Sequence, residues 1–292
     1  MSKTKKAVII GSVLVGIGVI IGFIGIAIGG FKFPNGAVDL TTMKALHAEK
    51  KTVQIADAFD KIEIAGASSM DIEICKSKTG KNYVEYYDTD DWTSRVDVKD
   101  RVLKFTTDDK GKHKAIVSLG FGKDTAARLY LADAEYKEIS VTTLSGYVTI
   151  QDVNAETVNV SASSGDLYMK NINAPDSIMA TSSSGDIDLE NATAKQIELG
   201  ANSGDIEMQD ITAESLRMST SSGDIDLENG DAEGFDITTS SGDVDMEITA
   251  GRTYRFDTKT NSGAVDVPDG DADSEYLCKI VTSSGDVDVK QK

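Results

Sequence analysis

Apolar and polar residues alternate along the chain from Ile139 to Val289. Alternation at every second position is the pattern of a β-strand with one buried face. The apolar positions stand on both sides of a recurring Ser-Gly-Asp phrase, as at Val158 and Val160 before Gly165 and at Leu167 after it. The pattern therefore predicts two short strands per repeat, joined at the Ser-Gly-Asp turn.

The turn phrase returns at a nearly fixed period. Its glycines lie 19, 20, 19, 19, 19, 21 and 22 residues apart, at Gly146, Gly165, Gly185, Gly204, Gly223, Gly242, Gly263 and Gly285. A unit of this size cannot bury its apolar face alone, but parallel stacking at about 4.8 Å per layer builds a continuous core. We therefore predict an all-β fold, a β-solenoid that resembles a parallel β-helix.

Two details of this prediction can be tested directly. The first is the backbone of the turn: we expect its glycine to have a positive φ, which glycine adopts without strain. An antiparallel β-sandwich or barrel also has short strands at regular spacing. Because the same residues recur at the same phase, parallel stacking in register is the favoured alternative.

Acidic residues dominate the repeats and form two columns. The chain has a net charge of −18, and residues 129–292 contain 32 acidic and 10 basic side chains. Stacked carboxylates repel one another, so we expect them to contact cations or a cationic partner, and we exclude nucleic acid. The alternative is a solvated surface that keeps the sheet soluble. The candidate contact residues are Asp166, Asp186, Asp188, Asp205, Glu207, Asp224, Asp226, Asp243, Asp245, Asp286 and Asp288.

An uncharged apolar segment precedes the strands. Residues 7–31 would form about 37 Å of helix, enough to cross a bilayer. Three lysines lie before it, which places the amino terminus in the cytoplasm and the remainder outside the cell. We predict a single-pass signal-anchor in the cell membrane. A stripe of glycines offers a packing face for a second copy or a membrane-protein partner: Gly18, Gly22, Gly25 and Gly29.

The patterns divide the chain into five parts. These are a cytoplasmic tail (1–6), a transmembrane segment (7–31), a membrane-proximal linker (32–52), an irregular amino-terminal β cap (53–128) and the acidic repeats (129–292). Within the cap, residues 62–74 read as a degenerate first coil. A hairpin is predicted to turn at Lys99 and Asp100.

Residues of familiar catalytic and metal-binding kinds are scarce. His47 and His113 lie outside the repeats, which argues against a histidine triad or a zinc site. We predict no enzyme and no cofactor, and we keep calcium as an alternative although the glycine-rich nonapeptide of calcium-binding β-rolls is absent. If the layers stack in chain order, Cys75 and Cys278 are too far apart for a disulfide, so two free thiols are expected.

The Ser-Gly-Asp-Ile/Val-Asp repeats, preceded by Phe-Asp-Lys-Ile-Glu-Ile at residues 59–64, resemble the putative-adhesin family of bacterial β-strand-repeat proteins of unknown function. The anchored layout is similar to the member encoded in the Lia cell-envelope-stress operon of Gram-positive bacteria. The resemblance implies an extracytoplasmic β-solenoid linked to envelope stress or surface interaction. It implies no catalytic residues.

These observations lead to one functional hypothesis and two alternatives. The hypothesis is a membrane-anchored, non-enzymatic interaction or envelope-stress module whose acidic face binds cationic peptides, divalent ions or a basic partner protein. The first alternative is a passive structural or adhesive surface protein. The second is a polysaccharide-active enzyme, because some β-helices cleave polysaccharides.

Overall fold

The computed structural model of the chain describes residues 37–39, 44–45, 48–67, 70–89, 92–109, 116–118, 126–249 and 251–292. The strands are β1 (Ala37–Asp39), β2 (Lys44–Ala45), β3 (Ala48–Gln54), β4 (Lys61–Ala67), β5 (Ile72–Lys76), β6 (Tyr83–Thr89), β7 (Trp92–Lys99), β8 (Val102–Asp109), β9 (Ile116–Ser118), β10 (Ala127–Leu131), β11 (Glu135–Thr143), β12 (Val148–Ala162), β13 (Leu167–Ser182), β14 (Ile187–Ala201), β15 (Ile206–Ser219), β16 (Ile225–Thr238), β17 (Val244–Ile248), β18 (Arg255–Lys259), β19 (Val265–Asp266), β20 (Leu277–Val281) and β21 (Val287–Gln291).

These strands fall into two units. The smaller unit holds a three-stranded antiparallel sheet in the order β2-β1-β9. The larger unit holds the other strands, and its parallel pairs run in register from β11 to β17. The predicted β-solenoid is therefore confirmed. It has one layer for each glycine of the Ser-Gly-Asp turns from Gly146 to Gly285, and we call these the corner glycines.

Each long strand from β12 to β16 runs from one glycine turn to the next and lines three sides of the solenoid. In β13, side one is residues 167–170, side two is residues 172–174 and side three is residues 177–182. A left-handed backbone conformation at Asn171 separates sides one and two, and a shift of register separates sides two and three. The prediction of two strands per repeat was therefore incomplete.

Apolar side chains from all three sides fill the core. The alternation predicted for sides one and three is confirmed, since Ile178, Ala180, Ile187 and Leu189 and their equivalents are buried. Side two adds further buried residues, most of them alanine, in the stretch between the two strands that the sequence pattern predicts: Val153, Ala155, Ile172, Ala174, Ala192, Ala194, Ile211, Ala213 and Ala232.

At the amino-terminal end the layers do not follow chain order. Strands β4 and β5 pair with β11 and β12 on one side and with β8 and β10 on the other. The later strands β8 and β10 thus form the outer layer. Strand β7 pairs with β8, β6 with β10 and β3 with β6, all antiparallel. The β7–β8 hairpin turns at Asp100 and Arg101, both with positive φ, one residue beyond the predicted Lys99 and Asp100.

Asp60 links the three amino-terminal layers. Its carboxylate forms ion pairs with Arg101 at 3.1 Å and with Lys137 at 2.9 Å. Arg101 precedes β8 and Lys137 lies in β11, so one side chain connects the layers on either side of β4. The adjacent Phe59 stacks on Tyr136 with ring centroids 5.8 Å apart. The first two residues of the motif at residues 59–64 therefore contact the layers on either side of β4.

The carboxyl-terminal layers are also out of chain order. Strands β20 and β21 pair with β16 and β17 on one side and with β18 and β19 on the other. The Gly285 layer is therefore inserted beneath the Gly263 layer, which corrects the expectation that the layers stack in sequence. Cys75 and Cys278 are both free thiols, and Cys278 is buried, as predicted.

The predicted membrane anchor is not tested by this structure. Residues 7–31, with Gly18, Gly22, Gly25 and Gly29, lie outside the described residues. Within the described part of the chain, no helix has the length and apolar character needed to cross a membrane. In the segment assigned to a linker (32–52), the described residues form β1, β2 and the first part of β3.

Candidate functional site

The first acidic column, directly after the corner glycines, bonds the layers together. The backbone N–H of Asp186 donates to Asp166 Oδ1 at 3.0 Å, and that of Asp205 donates to Asp186 Oδ1 at 2.9 Å. The same bond continues along the column, with the N–H groups of Asp224, Asp243, Asp286 and Ala264 as donors. One oxygen of each accepting carboxylate thus has a structural role, which the sequence analysis did not separate from cation binding.

The corner glycines are required by close contact between layers. A Cβ atom on Gly204 would lie 2.1 Å from the carbonyl oxygen of Gly185, and the other corner glycines from Gly146 to Gly285 meet similar obstacles. Among these glycines only Gly263 has a positive φ, of 158°. The attribution of the turn glycine to a positive φ was therefore wrong.

Buried hydroxyl groups support the same turns. Ser182 Oγ donates to the carbonyl oxygen of Gly165 and accepts from the N–H of Gly185, both at 3.0 Å. Equivalent bonds to glycine carbonyl oxygens are made by Thr220, Thr239, Thr260 and Thr282. The turns are therefore rigid, and their regularity holds side one in a fixed position.

The corner between sides one and two contains a column that the sequence analysis missed. Its members have φ between 51° and 56°, and they are Asp152, Asn171, Asn191, Asp210 and Asn229. Asn171 Nδ2 donates to Asp152 Oδ1 at 2.6 Å, and Asn191 Nδ2 donates to Asn171 Oδ1 at 2.7 Å. Asn and Asp tolerate the left-handed region better than other non-glycine residues. Their recurrence at a period of 19 to 20 residues was the available signal.

The second acidic column lies on side one and lines an open groove of about 630 Å³. Asp188, Glu207, Asp226 and Asp245 stand at adjacent register positions in β14 to β17. Further carboxylates flank this column: Glu190, Glu228 and Glu247. Asp288 continues the register in β21, opposite Asp245. The groove thus brings onto one face the predicted acidic residues of the second column, which do not bond one turn to the next.

The central carboxylates of the groove have no lysine or arginine partner among the residues that the structure describes. Within the described residues, Asp188, Glu207 and Asp226 form no ion pair with lysine or arginine. Partial burial, with the neighbouring carboxylate of Glu207, raises the pKa of Asp188 to about 6. Burial and adjacent carboxylates also raise the pKa values of Asp226 and Asp245. A bound cation would relieve this repulsion.

Lysine side chains border the groove at its two ends. Lys170 pairs with Glu190, Lys290 pairs with Asp288 at 3.0 Å, and Lys292 pairs with Glu247. Towards the amino-terminal layers, side one also carries aromatic and basic residues. Tyr168 precedes Asp188 in the column, and Arg128 pairs with Glu73 at 2.6 Å. Among the described residues, the groove carboxylates without an ion pair therefore lie between these two ends.

The described residues present no metal centre. No group of three or more His, Cys, Asp or Glu side chains in this part of the chain is arranged to hold a metal ion. His47 and His113 lie outside the described residues.

The first corner of the repeats departs from the Ser-Gly-Asp phrase. At the Gly146 turn, Leu144 and Tyr147 replace the usual Ser and Asp, and both side chains are exposed. Tyr147 N–H still donates to Asp71 Oδ1 at 2.9 Å. Because Tyr147 has no carboxylate, it does not pass the bond on to Asp166. Around Gly263, Lys259 and Ala264 also differ from the residues at the same positions of the neighbouring repeats, and both belong to the outer layer at the other end.

The family model of the Toastrack domain, DUF4097, matches residues 59–290. The chain belongs to this family. The match begins at Phe59, the first residue of the motif that links the amino-terminal layers, and it includes the complete series of glycine turns. No functionally curated protein matches the chain. The resemblance to the member of the Lia operon stays a prediction.

Two solved structures are similar to this chain. A putative adhesin from Bacteroides fragilis superimposes with a TM-score of 0.53 at 18% identity, over 84% of this chain and 97% of that chain. A putative lipid binding protein from Parabacteroides distasonis gives a TM-score of 0.47 at 16% identity, over 84% and 96%. At 18% identity, the similarity to the Bacteroides fragilis structure establishes a shared fold alone.

Proposed function

We propose that this Toastrack chain is a membrane-anchored, non-enzymatic interaction module on the outer face of the cell envelope, and that its acidic groove binds cationic partners. The groove carries the proposal. Seven carboxylates line it, and three of its central members, Asp188, Glu207 and Asp226, have no ion-pair partner within the described residues. An uncompensated, ordered array of charge attracts opposite charge and accelerates encounter with it.

The spacing of the groove defines the partner. From Asp188 to Asp245 the column crosses four layers, or about 14 Å at 4.8 Å per layer. In an extended peptide, side chains on one face recur at about 6.8 Å, so a strand with basic residues at alternate positions presents three cations over this distance. A cationic envelope-active peptide or the basic segment of a partner protein has this chemistry.

The cellular setting of the proposal comes from the sequence. The apolar segment 7–31 would hold the repeats close to the membrane, outside the cell, where cationic peptides and divalent ions meet the envelope. The description of the Bacteroides fragilis protein as a putative adhesin supports an interaction role for the shared architecture. A role in envelope stress follows from the proposed cationic partners.

Calorimetric titration of the full chain with hexalysine tests the proposal. In a mild non-ionic detergent, we expect binding at low salt that weakens strongly in molar salt, because ions screen exposed charges. The triple variant Asp188→Asn/Glu207→Gln/Asp226→Asn should abolish this binding. The matched control Asp176→Asn/Glu214→Gln/Glu233→Gln removes three exposed carboxylates outside the groove and should retain it.

Three results would contradict the proposal. Binding that survives molar salt would show that charge does not drive it. Equal losses in both triple variants would show that net charge, and not the groove, is recognised. No binding would favour the passive structural or adhesive alternative. Separate titration with calcium and assay of sugar release from cell-wall polymer test the divalent-ion and enzyme alternatives.

A further inference from the structure

Two lysines of this chain already occupy one end of the acidic groove. Lys290 lies in β21 opposite Glu247 in the parallel register, and its Nζ is 3.0 Å from Asp288. Lys292 follows β21 and pairs with Glu247. Both lysines line the groove together with Asp226 and Asp245. The chain therefore places ammonium groups where a cationic partner would bind.

The backbone that carries these lysines is held firmly. The N–H of Lys292 donates to the carbonyl oxygen of Ile248 at 3.0 Å, and Gln291 Nε2 donates to the carbonyl oxygen of Arg252 at 2.5 Å. The lysine side chains themselves are 63% exposed. An exposed ammonium group on a flexible stem can leave its carboxylate at little cost, whereas the strand remains in place.

We propose that Lys290 and Lys292 are a built-in competitor, an autoinhibitory contact that lowers the affinity of the groove for cationic partners. This inference rests on the proposed function of the groove. The two ammonium groups neutralise Asp288 and Glu247 and repel any cation that approaches Asp245. A partner must therefore displace them or bind the open carboxylates nearer to Asp188.

The insertion of the Gly285 layer is what places Lys290 and Lys292 beside the groove. If the layers followed chain order, β21 would be the outermost strand, with the Gly263 layer between it and β17. Because β21 instead pairs directly with β17, Lys290 lies in register with Glu247. The out-of-order layer thus brings the lysines into the acidic groove.

Titration of the full-length double variant Lys290→Gln/Lys292→Gln with hexalysine tests the inference. We expect the dissociation constant at low salt to fall about three- to tenfold relative to the parent chain, the range set by the loss of two exposed ion pairs. The control is Lys259→Gln/Lys279→Gln, which removes two lysines from strands of the same carboxyl-terminal layers on side three. It should change affinity by less than about twofold.

The outcomes separate this inference from the function on which it rests. Equal affinity of the Lys290/Lys292 variant and the parent, or an equal gain in the control variant, overturns the competitor while the groove remains a binding site. Absence of binding in the parent and in both variants overturns the proposed function and the competitor together. A selective gain in the Lys290/Lys292 variant supports both.

Discussion

The glycine column sets the distance between layers residue by residue. At Gly204 a methyl group would lie 2.1 Å from the carbonyl oxygen of Gly185, too close for the backbones to keep their spacing. We expect Gly204→Ala to lower the free energy of unfolding by more than about 3 kcal/mol, since overpacking here displaces backbone. Denaturant unfolding measures this loss.

A second glycine of the same layer provides the control. At Gly200 the nearest heavy atom to an added Cβ is 3.6 Å away, an ordinary contact. Gly200→Ala should therefore change stability by less than about 1 kcal/mol. Equal destabilisation by the two substitutions would show that the close approach at the corner is not what requires glycine.

The charge of Asp188 is costly in the folded state. Its pKa is raised to about 6, chiefly by burial and then by Glu207, so the folded protein disfavours ionisation. The unfolded chain ionises near pH 4, and this cost therefore develops as the pH rises from about 4 through about 6. Asp188→Asn should stabilise the protein at pH 7.5 by about 1 kcal/mol, and the gain should vanish below pH 4.

Thermal unfolding of parent and variant across this pH range measures the effect. Asp176→Asn, at an exposed position of β13, serves as the control and should show no comparable pH-dependent gain. If Asp188→Asn destabilises at pH 7.5, the carboxylate is a net stabilising group and the groove does not carry uncompensated charge.

At the scale of the strands, the buried positions of sides one and three could be predicted from the sequence, because alternate side chains of a strand point to the same face of the sheet. Ile187 and Leu189, for example, alternate with Asp188 and Glu190, and the structure buries the first pair. Side two was not readable in the same way. Its inward residues are as small as Ala192 and Ala194, and the polar residues beside them resemble a connection.

The two acidic columns show a second limit of sequence reasoning. Asp186 and Asp188 belong to acidic columns of the same period, and that period does not assign different roles to the two columns. Only the pairing of layers reveals that Asp186 Oδ1 accepts the N–H of Asp205, whereas Asp188 faces the groove. A recurring acidic residue predicts that the layers stack. Whether its side chain bonds the next turn or faces the groove depends on the turn beside it.

At the scale of the whole molecule, both ends of the solenoid are closed by a layer taken out of chain order. Strands β8 and β10 lie outside β4 and β5, and β18 and β19 lie outside β20 and β21. No local pattern predicts this order, because each displaced layer keeps the same inward phase as its neighbours. The outer carboxyl-terminal layer has a polar residue, Thr258, in register with the buried Ile280, which suits a layer with one uncovered side.

The reactivity of Cys278 tests this order. The thiol is fully buried between Phe235 and Phe256, its register neighbours in the layers on either side, and burial raises its pKa to about 12. An alkylating reagent should therefore modify the partly buried Cys75 first. In the Cys75→Ser variant, labelling of Cys278 followed by mass spectrometry should require denaturant and should coincide with global unfolding. Layers in chain order would leave Cys278 in the outermost layer, so rapid labelling under native conditions would contradict the inserted layer and remove the structural basis for placing Lys290 beside Glu247.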